Sequence, residues 1–283
     1  MWAIVEQSAL ALFGALRDLL APALFFFLLA MLLRGRAVFH DIRRVWPETR
    51  LNLELLAFNA LVVVPLIGLV ATFLATTIQS RGLVFFDPAD WARLPTPLVI
   101  FIVIFIGDFV GYWRHRLEHS VLLWPSHAVH HSDTAMTWLT LERFHPINRV
   151  TTFVIDASVL ILLGAPPFAI VANSLVRHYY GFLIHADLPW TYGRLGRIFV
   201  SPAMHRWHHA ADAKALNTNY ATVFSVFDQL FGTFRVPGPC TAPLGILDDL
   251  PATFGAQLGY AFRPNVYRKL MAHNARRRAN RIG

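Results

Sequence analysis

Charged residues are scarce in this sequence, and cysteine is nearly absent. Of the 283 residues, 15% are charged and 55% are apolar, and the mean hydropathy is +0.47. So little charge is unusual for a soluble globular domain and typical of an integral membrane protein. The single cysteine, Cys240, excludes an intrachain disulfide and any metal site built from several thiolates, and it is compatible with a reducing compartment.

The N-terminus lacks the basic start of a cleavable signal peptide. Residues 1–7 contain Glu6, and the first basic residue is Arg17. We therefore expect the first apolar run to be retained. The 25 Lys and Arg residues outnumber the 17 Asp and Glu residues. On a membrane protein this excess indicates loops that face anionic lipid, and we expect no nucleic-acid partner.

Long apolar runs predict transmembrane helices at residues 19–33, 55–79 and 97–113. A further stretch, residues 150–185, is interrupted by Gly164-Ala-Pro-Pro167 and therefore predicts a helical hairpin. The predicted fold is all-α and integral to the membrane, with about three to four transmembrane helices plus the hairpin.

The distribution of arginine predicts the orientation. The loop between the first two predicted helices contains five arginines, whereas the next loop contains two arginines and two aspartates. Because positively charged loops stay in the cytoplasm, the first loop is predicted to be cytoplasmic. Counting crossings then places residues 114–149, and the chain from Asp187 onward with its arginine-rich tail, on the same cytoplasmic side.

Histidine is concentrated in one region, since eleven of the 13 histidines lie between Arg114 and Ala210. Residues three or four apart share one face of a helix, with Cβ atoms about 5–6 Å apart, so their imidazoles can bind one ion. Each cluster with this spacing therefore predicts a face of metal ligands. The clusters are His115 and His119; His127, His130 and His131; and His205, His208 and His209.

These eight imidazoles exceed the capacity of one ion, because zinc sites usually close at about four ligands and octahedral iron at about six. Two metal ions are therefore predicted. Imidazole binds Fe, Zn, Cu or Ni, so the ligand type alone leaves the metal open. We expect carboxylates to hold the outer ring nitrogens. The candidates are Asp108, Glu118, Asp133, Glu142, Asp187, Asp212 and Asp228.

Other histidines lack a partner at helical spacing. His185 ends an apolar stretch on the same predicted side as the clusters, and we favour it as a ligand. For His145 and His178, direct ligation and a structural or supporting role both stay open. His40 and His273 are expected to be structural.

Three motifs resemble the histidine boxes of the fatty acid hydroxylase and sterol desaturase superfamily. They are His115-Arg-Leu-Glu-His119, His127-Ala-Val-His-His131 and Met204-His-Arg-Trp-His-His209. The resemblance extends over residues 97–234. It includes Arg143-Phe-His-Pro146, Asn219-Tyr220 and Asp228-Gln-Leu-Phe-Gly-Thr233.

The resemblance implies an enzyme that uses two iron ions and O2 to hydroxylate or desaturate a lipid, such as a fatty acyl chain or a sterol. Zinc is an alternative occupant in purified or crystallised protein. The resemblance also implies a helical cap on the cytosolic side that carries the histidine-rich dimetal site. The implied ligands are the eight histidines of the boxes together with His185. Some relatives have a second histidine four residues before this position, where the present chain has Gly181.

Neither a haem-attachment motif nor a dinucleotide-binding motif is visible in the sequence, so an external electron donor is expected, either a reductase with ferredoxin or a haem protein. The alternative function is a membrane metal transporter or metal-storage protein. Transport favours ligands within the spans, whereas these boxes follow a span. A catalytically silent scaffold also stays open.

We expect residues 1–283 to form a single membrane-embedded unit. Within it, residues 1–96 are predicted to form an N-terminal anchor of spans and loops. Residues 97–235 are predicted to form the histidine-box catalytic core, and residues 236–283 a basic C-terminal tail.

Overall fold

The computed structural model describes residues 2–272, with side chains from Val5 onward. His273 and the arginines of the predicted basic tail lie outside the described residues. The regular elements of the described part of the chain are helices, which are joined by loops that contain two isolated β-bridges.

Within residues 2–272, three helical segments are long and apolar enough to cross a membrane. The first, Val5–Arg34, comprises α1 (Trp2–Asp18) and α2 (Leu20–Arg34). The second, Ala37–Ser80, comprises α3 (Ala37–Phe58), a π-helical turn (Asn59–Val63) and α4 (Val64–Ser80). α5 (Pro88–Ala92) then precedes the third, α6 (Thr96–Glu118). The prediction of an all-α membrane fold is confirmed.

The second segment is longer than the apolar run at residues 55–79 suggested. It contains 44 residues. At about 1.5 Å per residue such a helix is about 66 Å long, roughly twice the hydrocarbon thickness of a bilayer. The polar half of α3 therefore extends beyond the apolar part. Its π-helical turn precedes Pro65, which has no backbone N–H to donate to the preceding turn.

The predicted hairpin is formed by α8 (Pro146–Leu162) and α9 (Pro167–His185). The break between them depends on Gly164, which has φ of +65°. A Cβ atom at this position would collide with the backbone carbonyl of Phe86, so only glycine fits without strain. Both helices pack against α6.

Close packing of α6 on α9 brings the ends of these helices together. Gly107 lies against Asn173 and Gly111 lies against Arg177, so the two helices run in the same direction. Their C-terminal ends, which carry His115 and His185, therefore lie at the same end of the bundle.

Buried ion pairs join α6, α8 and α9. The Arg114 Nε donates to Asp156 at 2.9 Å, and the Arg177 Nη1 donates to the same carboxylate at 2.8 Å. The Arg177 Nε also lies 3.6 Å from Asp108. Charged groups in an apolar setting are stable only when they are paired, and this network explains why the apolar stretches contain them.

Shorter helices cover the histidine-bearing end of the bundle and form the helical cap. α10 (Pro202–His208) packs on α9, and α12 (Phe254–Tyr260) packs on α7 (Trp124–His131) and α3. Proline occupies the first or second position of each helix from α5 to α10, where its fixed φ favours helix initiation. The cap contains α7 (Trp124–His131), a 3₁₀-helix (Trp138–Glu142), a second 3₁₀-helix (Gly193–Arg197), α10 (Pro202–His208), α11 (Val226–Leu230) and α12 (Phe254–Tyr260).

Candidate metal centre

The structure brings the nine histidines favoured as ligands into two groups, and within each group the candidate ligand nitrogens lie within 4.8 Å of one another. Eight of the nine side chains are buried, and His119 is partly exposed. The five-histidine group contains His115, His119, His127, His131 and His208. The four-histidine group contains His130, His185, His205 and His209. Their role as ligands stays a prediction.

Each His-x-x-His-His box contributes to both groups. In α7, His127 and His131 belong to the five-histidine group, whereas His130 belongs to the four-histidine group. The reason is helical geometry, because residues four apart share a face while the intervening neighbour points about 100° away. The box on α10 is divided in the opposite sense, so that His208 alone joins the five-histidine group.

Hydrogen bonds fix the tautomers in the five-histidine group. The Nδ1 of His115 lies 2.7 Å from the carbonyl oxygen of Tyr220, and the Nδ1 of His208 lies 2.6 Å from that of Thr218. A carbonyl oxygen only accepts, so both Nδ1 atoms carry the proton. The two Nε2 atoms, only 2.9 Å apart, therefore face each other with lone pairs.

Protonation of His208 does not relieve the repulsion between these two lone pairs, because burial lowers the pKa of His208 to about 4. Burial also lowers the pKa of the neighbouring His127 to about 3, so His127 and His208 are both neutral at neutral pH. Neutral imidazoles with converging lone pairs are the donor set that a transition-metal ion requires. The five-histidine group therefore fits a bound metal ion.

The four-histidine group has the same character. The Nδ1 of His185 lies 2.6 Å from the carbonyl oxygen of Gly181, which leaves its Nε2 as a lone pair. That Nε2 lies 3.2 Å from the Nε2 of His130 and 3.0 Å from the Nε2 of His205. Two neighbouring rings cannot both donate to one lone pair, whereas one cation can accept from all three rings. This group also fits a metal ion.

Backbone carbonyls and one amide, rather than carboxylates, hold the outer ring nitrogens of four of the nine histidines. Three outer nitrogens face backbone carbonyls, as described above, and the Nδ1 of His127 faces the side-chain oxygen of Asn148 at 3.1 Å. The prediction that carboxylates hold these nitrogens is wrong for these four rings. A carbonyl accepts the proton without adding a buried charge, which makes it the less demanding partner for a neutral imidazole.

Asp108 and Asp228 hold the backbone of a loop whose carbonyl contacts a histidine of the site. The Asp108 carboxylate accepts hydrogen bonds from the backbone at residues 222–224. The Asp228 carboxylate accepts from the backbone N–H groups of Tyr220 at 2.7 Å and of the next residue at 3.0 Å. Both aspartates therefore fix the loop whose Tyr220 carbonyl orients His115.

Glu118 reaches the five-histidine group through Asn148. The Asn148 Nδ2 donates to Glu118 Oε1 at 2.6 Å, and Glu118 Oε2 lies 3.7 Å from the Nδ1 of His127. Sequence reasoning missed Asn148. The available signal was an amide at the start of an otherwise apolar helix, two residues after the His-Pro pair of Arg143-Phe-His-Pro146.

The other four candidate carboxylates hold neighbouring backbone and side chains. Asp133 accepts from an asparagine and a threonine, and Asp187 pairs with two arginines. Glu142 pairs with an arginine, and Asp212 accepts from a backbone N–H in a turn. These hydrogen bonds and ion pairs stabilise the segments of the chain around the site.

Two histidines that the sequence left open lie outside both groups. The Nδ1 of His145 accepts from the backbone N–H of Ile147 at 3.1 Å, and its Nε2 donates to the carbonyl of Leu258 at 3.0 Å. His145 therefore caps α8. His178 is partly exposed, and its Nε2 lies 3.7 Å from Glu142.

A helical bundle with apolar, membrane-length helices and two groups of converging imidazoles defines a membrane protein with a candidate dimetal centre. The fatty acid hydroxylase family profile matches residues 100–233. Together with the relatives described next, this match supports the similarity of the chain to the fatty acid hydroxylase and sterol desaturase superfamily. The sequence-based prediction of this family is confirmed.

Curated relatives agree with this assignment. The chain is 35% identical over 179 residues to an ornithine lipid hydroxylase of Rhizobium tropici, which covers 62% of this chain and 53% of the relative. It is 31% identical over 133 residues to the alkylglycerol monooxygenase of Homo sapiens, covering 46% and 29%. A Delta(7)-sterol 5(6)-desaturase of Gibberella zeae is 24% identical over 193 residues, covering 67% and 53%. The chain thus spans about half or less of each of these three relatives. No solved structure matches the chain significantly.

Proposed function

We propose that this protein is an O2-dependent hydroxylase or desaturase of a membrane lipid, and that each histidine group binds one iron ion. The observation that carries the proposal is the convergence of neutral imidazole lone pairs on two centres beside membrane-length helices. The names of the relatives, which include a lipid hydroxylase, a monooxygenase and a sterol desaturase, support this reaction class.

Bound iron would supply the O2 activation that cleavage of an unactivated C–H bond requires. The residues of the chain prepare the site for it. Burial keeps the imidazoles neutral, and the carbonyls of Tyr220 and Gly181 hold His115 and His185 with their Nε2 atoms directed inward. Burial of eight of the nine rings also excludes water from the reacting groups.

The lipid is proposed to stay among the apolar helices while its target carbon reaches the histidines. α6 is the structural link, because it lies in a membrane-length segment and ends in His115 and Glu118. Hydroxylation and desaturation share the initial C–H cleavage, so the position of the substrate decides between them.

We place the histidine groups on the cytoplasmic side of the membrane. The arginine-rich connection after α2 is predicted to be cytoplasmic, and Arg34 at the end of α2 pairs with Asp187 at 2.8 Å. Since Asp187 follows His185 by two residues, this ion pair supports a common side for the loop and the site. An electron donor, either a reductase with ferredoxin or a haem protein, would bind there.

Metal analysis and turnover of the detergent-purified protein test the proposal. About two irons per chain, with O2 consumption that depends on a reductant and a lipid extract, would support it. Mass spectrometry of membrane lipids with and without expression would identify the product. Firmly bound metal without lipid-dependent turnover would instead support a metal-storage protein or a silent scaffold.

A further inference from the structure

An amphipathic cavity of about 480 Å³ lies between α2, α3 and the cap. Its apolar wall comes mainly from α2 and includes Phe26, Leu29 and Leu33. Its charged wall lies at the end of α2, on α3 and on the cap. The charged residues of this wall are Arg34, Asp41, Arg44, Asp187 and Arg206.

Two residues of the cavity wall are close in sequence to candidate ligands. Asp187 follows His185 by two residues, and Arg206 directly follows His205. Both charged residues line the cavity, while both histidines belong to the four-histidine group. The cavity and the four-histidine group are therefore built on the same two segments of the chain.

The charged wall has one positive charge in excess. Asp187 pairs with Arg34 at 2.8 Å and with Arg206 at 3.2 Å, and Asp41 pairs with Arg34 at 3.2 Å and with Arg44 at 3.3 Å. Three guanidinium groups thus share two carboxylates. Each guanidinium carries five N–H donors, so several donors remain for an additional acid group.

The apolar wall continues into the membrane-length segment. Phe26 stacks on Trp138 of the cap with ring centroids 5.6 Å apart, and both rings line the cavity. Leu28 and Leu32 on the same helix are exposed and offer a surface to lipid tails. The volume is typical of small-molecule sites and too small for a whole lipid, so long tails would remain in the bilayer.

We propose that this cavity binds the headgroup of the lipid substrate, and that this headgroup carries a carboxylate or phosphate group. The inference rests on the proposed function and deepens it. The acid group binds Arg34 at the end of α2, Arg44 on α3 and Arg206 on α10, while the first part of the tail lies against Phe26 and Leu29. This arrangement selects acidic or zwitterionic lipids over neutral lipids with the same chains.

Binding of two matched lipids tests this proposal. Dioleoylphosphatidic acid and dioleoylglycerol differ only in the phosphate, and native mass spectrometry measures their binding to the iron-loaded protein without O2 or reductant. We expect the phosphatidic acid to bind at least about tenfold more tightly, as loss of one or two charge-assisted hydrogen bonds implies. Equal binding of the two lipids would overturn the proposal.

Single substitutions identify the residues that cause the preference for phosphatidic acid. Arg44→Gln and Arg206→Gln should each reduce the preference for phosphatidic acid several-fold, with iron content unchanged. Ala30→Trp, which fills the cavity, should weaken binding of both lipids. Arg50→Gln is the matched control, because Arg50 lies on α3, pairs with Glu54 and does not line the cavity. An equal loss in Arg50→Gln would mean that the preference reflects general surface charge, which contradicts the proposal.

Inorganic phosphate distinguishes a lipid site from a simple anion site. If it displaces phosphatidic acid at a comparable concentration, the tail contributes nothing and the proposal fails. Turnover separates this proposal from the enzymatic one. Selective binding without any turnover would contradict only the proposed oxygenase function, and turnover with equal use of neutral lipids would contradict only the headgroup proposal.

Discussion

Asn148 connects His127 to a buried carboxylate. Its Nδ2 donates to Glu118 at 2.6 Å, so its Oδ1 is the atom that accepts from the Nδ1 of His127 at 3.1 Å. The acid thereby fixes the orientation of the amide, and the amide fixes the tautomer of the imidazole. As a result the Nε2 of His127 points into the five-histidine group as a lone pair.

Replacing this amide should weaken metal binding. In Asn148→Leu the ring of His127 loses its partner, and we expect iron affinity to fall by about 10- to 100-fold, as for other residues that orient metal ligands. Iron titration of the purified variant measures the effect. Thr152→Val is the control, because Thr152 contacts the same carboxylate at 3.4 Å but touches no imidazole. Equal affinities in the two variants would show that Asn148 does not orient the ligand.

Loss of one histidine from either group should abolish turnover. His208→Ala removes a donor from the five-histidine group and His130→Ala removes one from the four-histidine group. Both proteins should still insert into the membrane, since the apolar helices do not depend on the site, but metal content should fall by at least half. His178→Ala should retain both metal and activity. Turnover in both His208→Ala and His130→Ala would remove these residues from the ligand set.

Metal removal should destabilise the cap. Without a cation, the Nε2 atoms of His115 and His208 face each other across 2.9 Å. A ligand present at about 100 times its Kd stabilises the folded state by about 2.7 kcal/mol. Chelation should therefore lower the Tm, and added Fe²⁺ should restore it. Mg²⁺, which prefers oxygen ligands, should not restore it. An unchanged Tm after complete chelation would contradict metal binding at these groups.

The turn between α8 and α9 should be sensitive to a single methyl group. Gly164→Ala places a Cβ against the carbonyl of Phe86 at a positive φ, and we expect a loss of about 1–3 kcal/mol in stability. Gly82→Ala is the matched control, because its φ is +62° but a Cβ there meets nothing within 4 Å. Thermal unfolding measures the stability of both variants. Because both substitutions share the cost of a positive φ, the difference in stability between them gives the cost of the collision alone.

Much of the fold and of the candidate site is predictable from local sequence. Apolar runs predict the membrane-length helices, and the spacing of His127, His130 and His131 predicts a helix that presents imidazoles. Both features depend on residues within one or two helical turns. The sequence did not predict that the polar half of α3 belongs to a long helix. This half has no apolar run and is stabilised by packing against the cap.

The partners of the imidazoles could not be predicted in the same way. They are backbone carbonyls of Gly181, Thr218 and Tyr220, and every residue type has a carbonyl, so the sequence carries no signal for them. Helical spacing separates adjacent residues within each His-x-x-His-His box, but it does not show which histidines of α7 and α10 share a group. That pairing depends on how α7 and α10 meet, which is a property of long-range packing.

This division means that α7 and α10 each serve as a common support for both metal positions. A small rotation of either helix moves donors in both groups at once, so neither position can be assembled while the other is disordered. The first ion that binds would align the remaining donors for the second. Loading of the centre should therefore be cooperative, and partially metallated protein should consist mainly of empty and fully loaded chains.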